Sequence, residues 1–343
     1  MVAGRAGMMI PGRIRGGILR HMAAFGRAWR FGRGLVLAAA GMALLVGAGG
    51  CEEDPLDAGR LQLMWGRRGI SAGRLQKPRC MDLDGEDRLY SVDMTARIQV
   101  LTAEGEFVRC WQTPDHRLGR PTGITITRDG EVLVADTHYN RILVYTRQGE
   151  LVRMLGGENP GRPSRGRPGE LGLVTCALRD REGNYYISEY GEYDRIQKFS
   201  ARGEFLLEWG GHGTEPGRFN RPQKMAFDEQ GRIWVADACN HRIQVFDTEG
   251  RLQFHWGRQG SGPGELYYPY DLDFDAQGNL VVCEFGNHRV QKFTRDGRSL
   301  GCWGRHGRGP GELHHPWAAR VDSRGRIHVL DTNNHRLQQI VMN

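Results

Sequence analysis

Acidic residues are missing from the first fifty positions, which hold seven arginines (Arg5, Arg13, Arg15, Arg20, Arg27, Arg30 and Arg33) and neither Asp nor Glu. Long apolar runs are scarce. The longest uncharged one, GLVLAAAGMALLVGAGG from Gly34 to Gly50, has 17 residues, and a chain with so little apolar length is not a polytopic membrane protein. Cysteine is sparse, seven in 343 residues, and no two stand as C-x-x-C, so the closely spaced ligand pairs of a structural zinc domain are absent. The formal charge of +7 resides entirely in the first fifty residues, because the other 293 hold 40 basic and 40 acidic side chains. The basic pI therefore gives no support to nucleic-acid binding.

What precedes residue 51 has the layout of an export signal: arginines, an apolar stretch, small residues, and then Cys51 followed by the first acids, Glu52 and Glu53. Ala48-Gly49-Gly50-Cys51 resembles a bacterial lipoprotein box, which implies that Cys51 is acylated and becomes the new N-terminus. Two features depart from that pattern: Ala48 stands where Leu is usual, and the arginine-rich region is long, as it would be if translation began at Met22. Ordinary cleavage after Val46-Gly47-Ala48 and an uncleaved anchor also fit these residues. All three place the folded part outside the cytoplasm. The division expected is a leader over 1–50, a linker over 51–60 and a folded domain over 61–343.

Glycine is abundant, 50 of 343, about twice ordinary usage. It punctuates a repeat of about 47 residues whose units begin at Pro78, Pro121, Val174, Pro222, Pro269 and Pro316. An acid recurs at Asp93, Asp136, Glu189, Asp237, Glu284 and Asp331, followed by an arginine at Arg97, Arg141, Arg195, Arg242, Arg289 and Arg336. Each unit parses into four short strands, and stretches such as Ile233-Trp234-Val235-Ala236, apolar on both faces, require both faces of the sheet to be covered. The fold class is thus all-β, a six-bladed β-propeller. The last unit lacks its fourth strand, and Leu61-Gln62-Leu63-Met64-Trp65 is a fourth strand without a unit. Residues 61–65 are expected to complete the last blade and close the ring, removing the open edges.

Asp237-Ala238-Cys239-Asn240-His241-Arg242-Ile243-Gln244 and the linkers of form Trp-Gly-x-x-Gly-x-x-Pro-Gly-x-Leu resemble the NHL-repeat family of six-bladed propellers, over residues 61 to 343. The resemblance implies the fold and leaves function open, since such propellers include binding sensors, adaptors and a few enzymes. A group present in every blade does the same job in every blade, so the recurring acid and arginine read as scaffold. His241, His288 and His335, at one repeat position, read as tolerated turn residues, and the scattered cysteines as buried free thiols.

Within the family, the peptidyl-hydroxyglycine lyase holds zinc by histidines, typically after the proline that opens an inner strand. The matching positions here are Arg79, Thr122, Thr175, Gln223, Tyr270 and Trp317, none of them histidine, while His314 and His315 supply at most two ligands where catalytic zinc takes three. Neither metal nor cofactor is expected. The positions after the proline instead gather Arg79, Gln223, Tyr270 and Trp317 around one mouth of the channel, with Lys224 and Asp271 beside them. Aromatic faces next to arginine and amide suit a protein, peptide or glycan ligand. A second anomaly is unit three, with a tyrosine-rich loop from Glu189 to Arg195 and a long linker, Gly156 to Gly172, carrying Arg162, Arg165 and Arg167. The reading reached is an exported, lipid-anchored binding or scaffold module, acting as a monomer and without a nucleic-acid partner. The alternative is a propeller enzyme of the lyase or lactonase kind with a metal-assisted channel site drawing on Asp271, Glu284 or a histidine pair.

Overall fold

The computed structural model describes residues 58–342 except Asn159, Arg162, Pro163 and Arg165. The leader, Cys51 and most of the linker lie outside the described residues. Each repeat forms a four-stranded antiparallel sheet. Blades I to V occupy residues 80–112, 123–156, 173–210, 222–256 and 269–303. Blade VI takes three strands from Ala318–Val321, Ile327–Asp331 and Arg336–Met342, and its fourth is Gly59–Trp65. That strand runs antiparallel to Arg336–Met342, with Gly59 opposite Met342 and Trp65 opposite Leu337, so the ring closes by the pairing that the incomplete last unit demands.

The burial of each strand follows from its place in the blade. Second and third strands such as Val132–Asp136 and Arg242–Phe246 are buried at every residue, because a neighbouring blade covers each face. Fourth strands such as Leu252–Trp256 and Gly59–Trp65 alternate, since one face meets solvent. The apolar core is accordingly divided into clusters between blades: Tyr90 and Val100 of blade I meet Val132 and Leu143 of blade II, and at the closure Leu89 of blade I meets Leu330 and Leu337 of blade VI. Gly130, Gly231 and Gly325 adopt φ between 76° and 88° in the turns between first and second strands, where a side chain would be strained.

The recurring acid and arginine clamp the linkers. All six arginines reach their acid at 2.6–2.8 Å. Arg242 shows the full pattern: Nε donates to Asp237, Nη1 to the Thr214 carbonyl and Nη2 to the carbonyls of Glu215 and Arg218. Gln244 adds a bond from its amide nitrogen to the Arg218 carbonyl and accepts one from the Gly217 N–H. Blade II is the exception. Its preceding linker, Thr113 to Arg120, lacks the Gly-x-Leu or Gly-x-Phe step that the other linkers carry, and Leu143 stands where the other blades have Gln. Arg141 there bonds only Asp136 and the Met154 sulfur, and Asp136 Oδ1 has no partner among the described residues. Burial pushes the Asp136 carboxyl up to about 6 against the pull of Arg141.

Six cysteines are described and all are free. Cys80, Cys176, Cys283 and Cys302 are buried, but Cys110 is exposed and Cys239 half-buried, which corrects the expectation of uniformly buried thiols. Cys110 belongs to a fourth strand, whose alternation turns it to solvent.

Candidate functional site

The first strands of neighbouring blades lie against one another and line the channel. Because strands alternate in direction, the linkers between blades and the turns between second and third strands share one face. The residue after the opening proline emerges at that mouth. Tyr270 and Trp317 meet edge to face with ring centroids 5.3 Å apart, and the Arg79 guanidinium lies 5.5 Å from the Trp317 ring. Phe285 stacks on Tyr270 at 4.5 Å and approaches His315 at 4.4 Å. On the other side, the Arg221 guanidinium lies 5.0 Å from the Tyr190 ring. Gln223 is half-buried between these groups in sequence, its carbonyl accepting from the Ser188 hydroxyl.

Arg79 and Arg221 are half-buried, yet among the described residues neither has a carboxylate within ion-pair distance, and Arg221 Nε is buried without a hydrogen-bond partner. Burial lowers the Arg79 pKa, opposed by Tyr190 and reinforced by Arg120. Burial also raises the Tyr270 phenol. A desolvated cation without an anion is costly, and the mouth holds two such guanidiniums.

Lys224 and Asp271 are placed differently from their neighbours. Both follow the opening proline by two positions, and the alternation of a strand turns them away from the mouth. Lys224 is buried, its ammonium donating to the Ile124 carbonyl and Thr125 Oγ1, each at 3.0 Å, so that blade IV reaches across to blade II. Asp271 accepts from the Ala319 N–H at 3.1 Å and Arg320 Nη1 at 2.8 Å. These residues fasten the channel beneath the mouth. Glu284 is bound by Arg289, Asn287 and Gln291 as part of its blade's clamp.

Sequence reasoning missed Arg221 and Phe285, and singled out Tyr190 only as part of the loop of unit three. Phe285 and Tyr190 directly follow the recurring acids Glu284 and Glu189, and Arg221 directly precedes Pro222; these two repeat positions carry the signal. The structure also joins the two anomalies of the sequence. A cleft of about 400 Å³ opens beside Tyr190 and His138 and is lined by Leu118 of the linker before blade II and by Ser164, Glu192 and Tyr193, from the long linker and the loop of unit three. Arg162 and Arg165 of that linker lie outside the described residues.

His288, His306, His314 and His315 pack together, with neighbouring ring centroids 4.4–6.1 Å apart. His288 Nδ1 accepts the His315 N–H at 2.9 Å, and His315 Nδ1 meets the Asn333 amide at 3.1 Å. Among the described residues no three His, Cys, Asp or Glu side chains are arranged to hold a metal ion.

A larger groove of about 690 Å³ on the opposite face crosses blades II to IV. Its less exposed cations are already matched: Arg179 with Asp129 and Glu131, Lys198 with Glu249. The mouth is therefore the stronger candidate.

Fold and repeat together define the class: the chain is a six-bladed β-propeller built on NHL repeats. The NHL repeat family matches residues 118–145, 219–246, 266–293 and 313–340. NHL repeat-containing protein 3 of Mus musculus is 30 % identical over 206 residues, 55 % of this chain and 56 % of that protein. Peptidyl-glycine alpha-amidating monooxygenase B of Xenopus laevis is 29 % identical over 127 residues, 36 % of this chain and 14 % of that protein. The chain spans about half the length of the NHL repeat-containing curated relatives it matches. Among solved structures, a streptogramin B lyase superposes with a TM-score of 0.58 at 12 % identity, covering 80 % of this chain and 96 % of the other; this likeness is one of fold.

Proposed function

We propose that this protein is an exported, membrane-anchored binding module whose mouth face takes a protein, peptide or glycan ligand bearing an anionic group. The observation that carries the reading is the pairing of half-buried guanidiniums that have no carboxylate partner among the described residues, Arg79 and Arg221, with the aromatic walls Tyr270, Trp317, Phe285 and Tyr190. Rings supply area at low entropic cost, and guanidiniums supply orientation to a planar anion. The arginine-rich, acid-free leader ending at Cys51 supports the location.

Peptide and glycan arrays probed with wild type, Trp317→Ala and Tyr270→Ala test the site. Acidic members retained by wild type and lost by both variants are the expected result. Identical retention by all three would place the ligand elsewhere. Palmitate labelling of wild type but not of Cys51→Ser tests the anchor.

A further inference from the structure

In blades IV, V and VI the turn between second and third strands ends on a histidine in the left-handed region: His241, His288 and His335, with φ of 54°, 54° and 56°. They are not idle turn residues. In each, Nδ1 accepts the N–H of the residue just before the proline that opens the next blade: Tyr268 at 3.1 Å, His315 at 2.9 Å and Lys77 at 2.9 Å. Those three residues are themselves left-handed, with φ of 50°, 50° and 45°, although a residue before proline is pressed towards extended conformations. The bond to histidine holds a backbone that would otherwise relax. Two residues further along stand Tyr270, Trp317 and Arg79, the side chains that form one wall of the mouth. At the junction of blades III and IV, Asp194 Oδ1 does the same for the Arg221 N–H at 3.2 Å, and in blade II Asn140 occupies the histidine position with φ 51°.

Only an unprotonated Nδ1 can accept an N–H, because imidazolium donates from both nitrogens. We infer that His241, His288 and His335 are proton-operated latches, and that acidification frees the segments presenting Tyr270, Trp317 and Arg79. The groups facing each latch are few. Tyr267 and Tyr268 wall His241; His306, His314 and His315 surround His288; Arg68, Lys77 and the opposing carboxylate of Asp331 face His335. Burial, and at His288 the neighbouring imidazoles, keep all three neutral at pH 7, His288 titrating at about 4. The consequence, release of ligand in acid, rests on the proposed function of the mouth; the latches themselves do not.

Hydrogen–deuterium exchange of the full-length protein at pH 7.5 and 3.0, normalised to unstructured-peptide rates at each pH, tests the latches without any ligand. Peptides covering residues 66–79, 259–271 and 306–318 should lose protection about tenfold or more at pH 3.0, as one pH unit past a titration point implies. In the triple variant His241→Asn, His288→Asn, His335→Asn the loss should shrink to about twofold or less, since the amide oxygen accepts the same N–H without titrating and Asn tolerates the left-handed region. The single variant His288→Asn should spare residues 306–318 alone and serves if the triple variant does not fold. Unchanged protection in wild type, or equal losses in wild type and variants, overturns the inference. Latches that open while affinity for an array-derived ligand stays constant support the latch and count against the mouth as the site.

Discussion

Arg320 Nη1 lies 2.8 Å from Asp271 Oδ2, tying blade VI to blade V, and its Nε reaches Asp82 of blade I at 2.9 Å. All three sit in the channel, with Arg320 buried. Burial disfavours the guanidinium charge, but Asp271, Asp82 and Asp273 outweigh it and hold Arg320 charged. Removing one partner of a buried ion pair strands the other. Arg320→Leu should therefore lose about 3–5 kcal/mol in denaturant unfolding. Adding Asp82→Asn and Asp271→Asn should recover much of that loss; a single variant as stable as wild type would show that the channel charges are not coupled.

Ring closure predicts a second result. Gly59–Trp65 completes blade VI and covers the edge of Arg336–Met342. Deleting residues 59–66 exposes that edge and uncovers Leu337 and Ile340, so the melting temperature should fall by about 10 °C or more and the protein should aggregate on heating. A deletion variant that melts like wild type would mean that the ring is stable while open.

The clamp predicts that Arg242→Lys is not conservative. The guanidinium serves Asp237 and three linker carbonyls at once, and an ammonium cannot span that arrangement. A loss of about 2–3 kcal/mol is expected in denaturant unfolding. Arg141→Lys, in the blade whose arginine bonds no linker carbonyl among the described residues, should cost clearly less.

These contrasts show how much was legible in the sequence. The fold was open to view because register repeats: the unpaired strand ending at Trp65 and the incomplete unit ending near Ile340 could be matched before any coordinates. Arg79, Tyr270 and Trp317 could be grouped in advance because each occupies the same position after a proline. Lys224 and Asp271, one position on, lie beneath them by the parity of the strand, which the sequence does not orient relative to the mouth. Arg221, Tyr190 and Phe285 come from other repeat positions and meet only when the ring is built. The latch role of His288 was hidden because its partner, the backbone N–H of His315, has no side-chain signature.

Asp322 provides a pH test. Its carboxylate accepts from the N–H groups of Arg324 and Arg326, from Arg326 Nε and from His328 Nε2. Burial works against the charge, but the bonds from His328 and Arg326 outweigh it and bring the carboxyl down to about 2 from 3.8. A carboxylate with a depressed folded-state pKa stabilises above its unfolded value and loses that contribution as pH falls through the folded value. Asp322→Asn should thus be less stable than wild type by about 1–3 kcal/mol at pH 7, and the gap should narrow between pH 4 and 2. A gap independent of pH over that range would show that the carboxylate charge contributes nothing.

The most direct test of the account sets one face of the propeller against the other. Affinity for an acidic array-derived ligand is measured by calorimetry for wild type, Arg79→Ala at the mouth and Arg181→Ala, an exposed arginine of the opposite groove. The account predicts a loss of about tenfold or more for Arg79→Ala, the scale of one charge-assisted contact, and no change for Arg181→Ala. Unchanged affinity in Arg79→Ala, or a loss confined to Arg181→Ala, would contradict it.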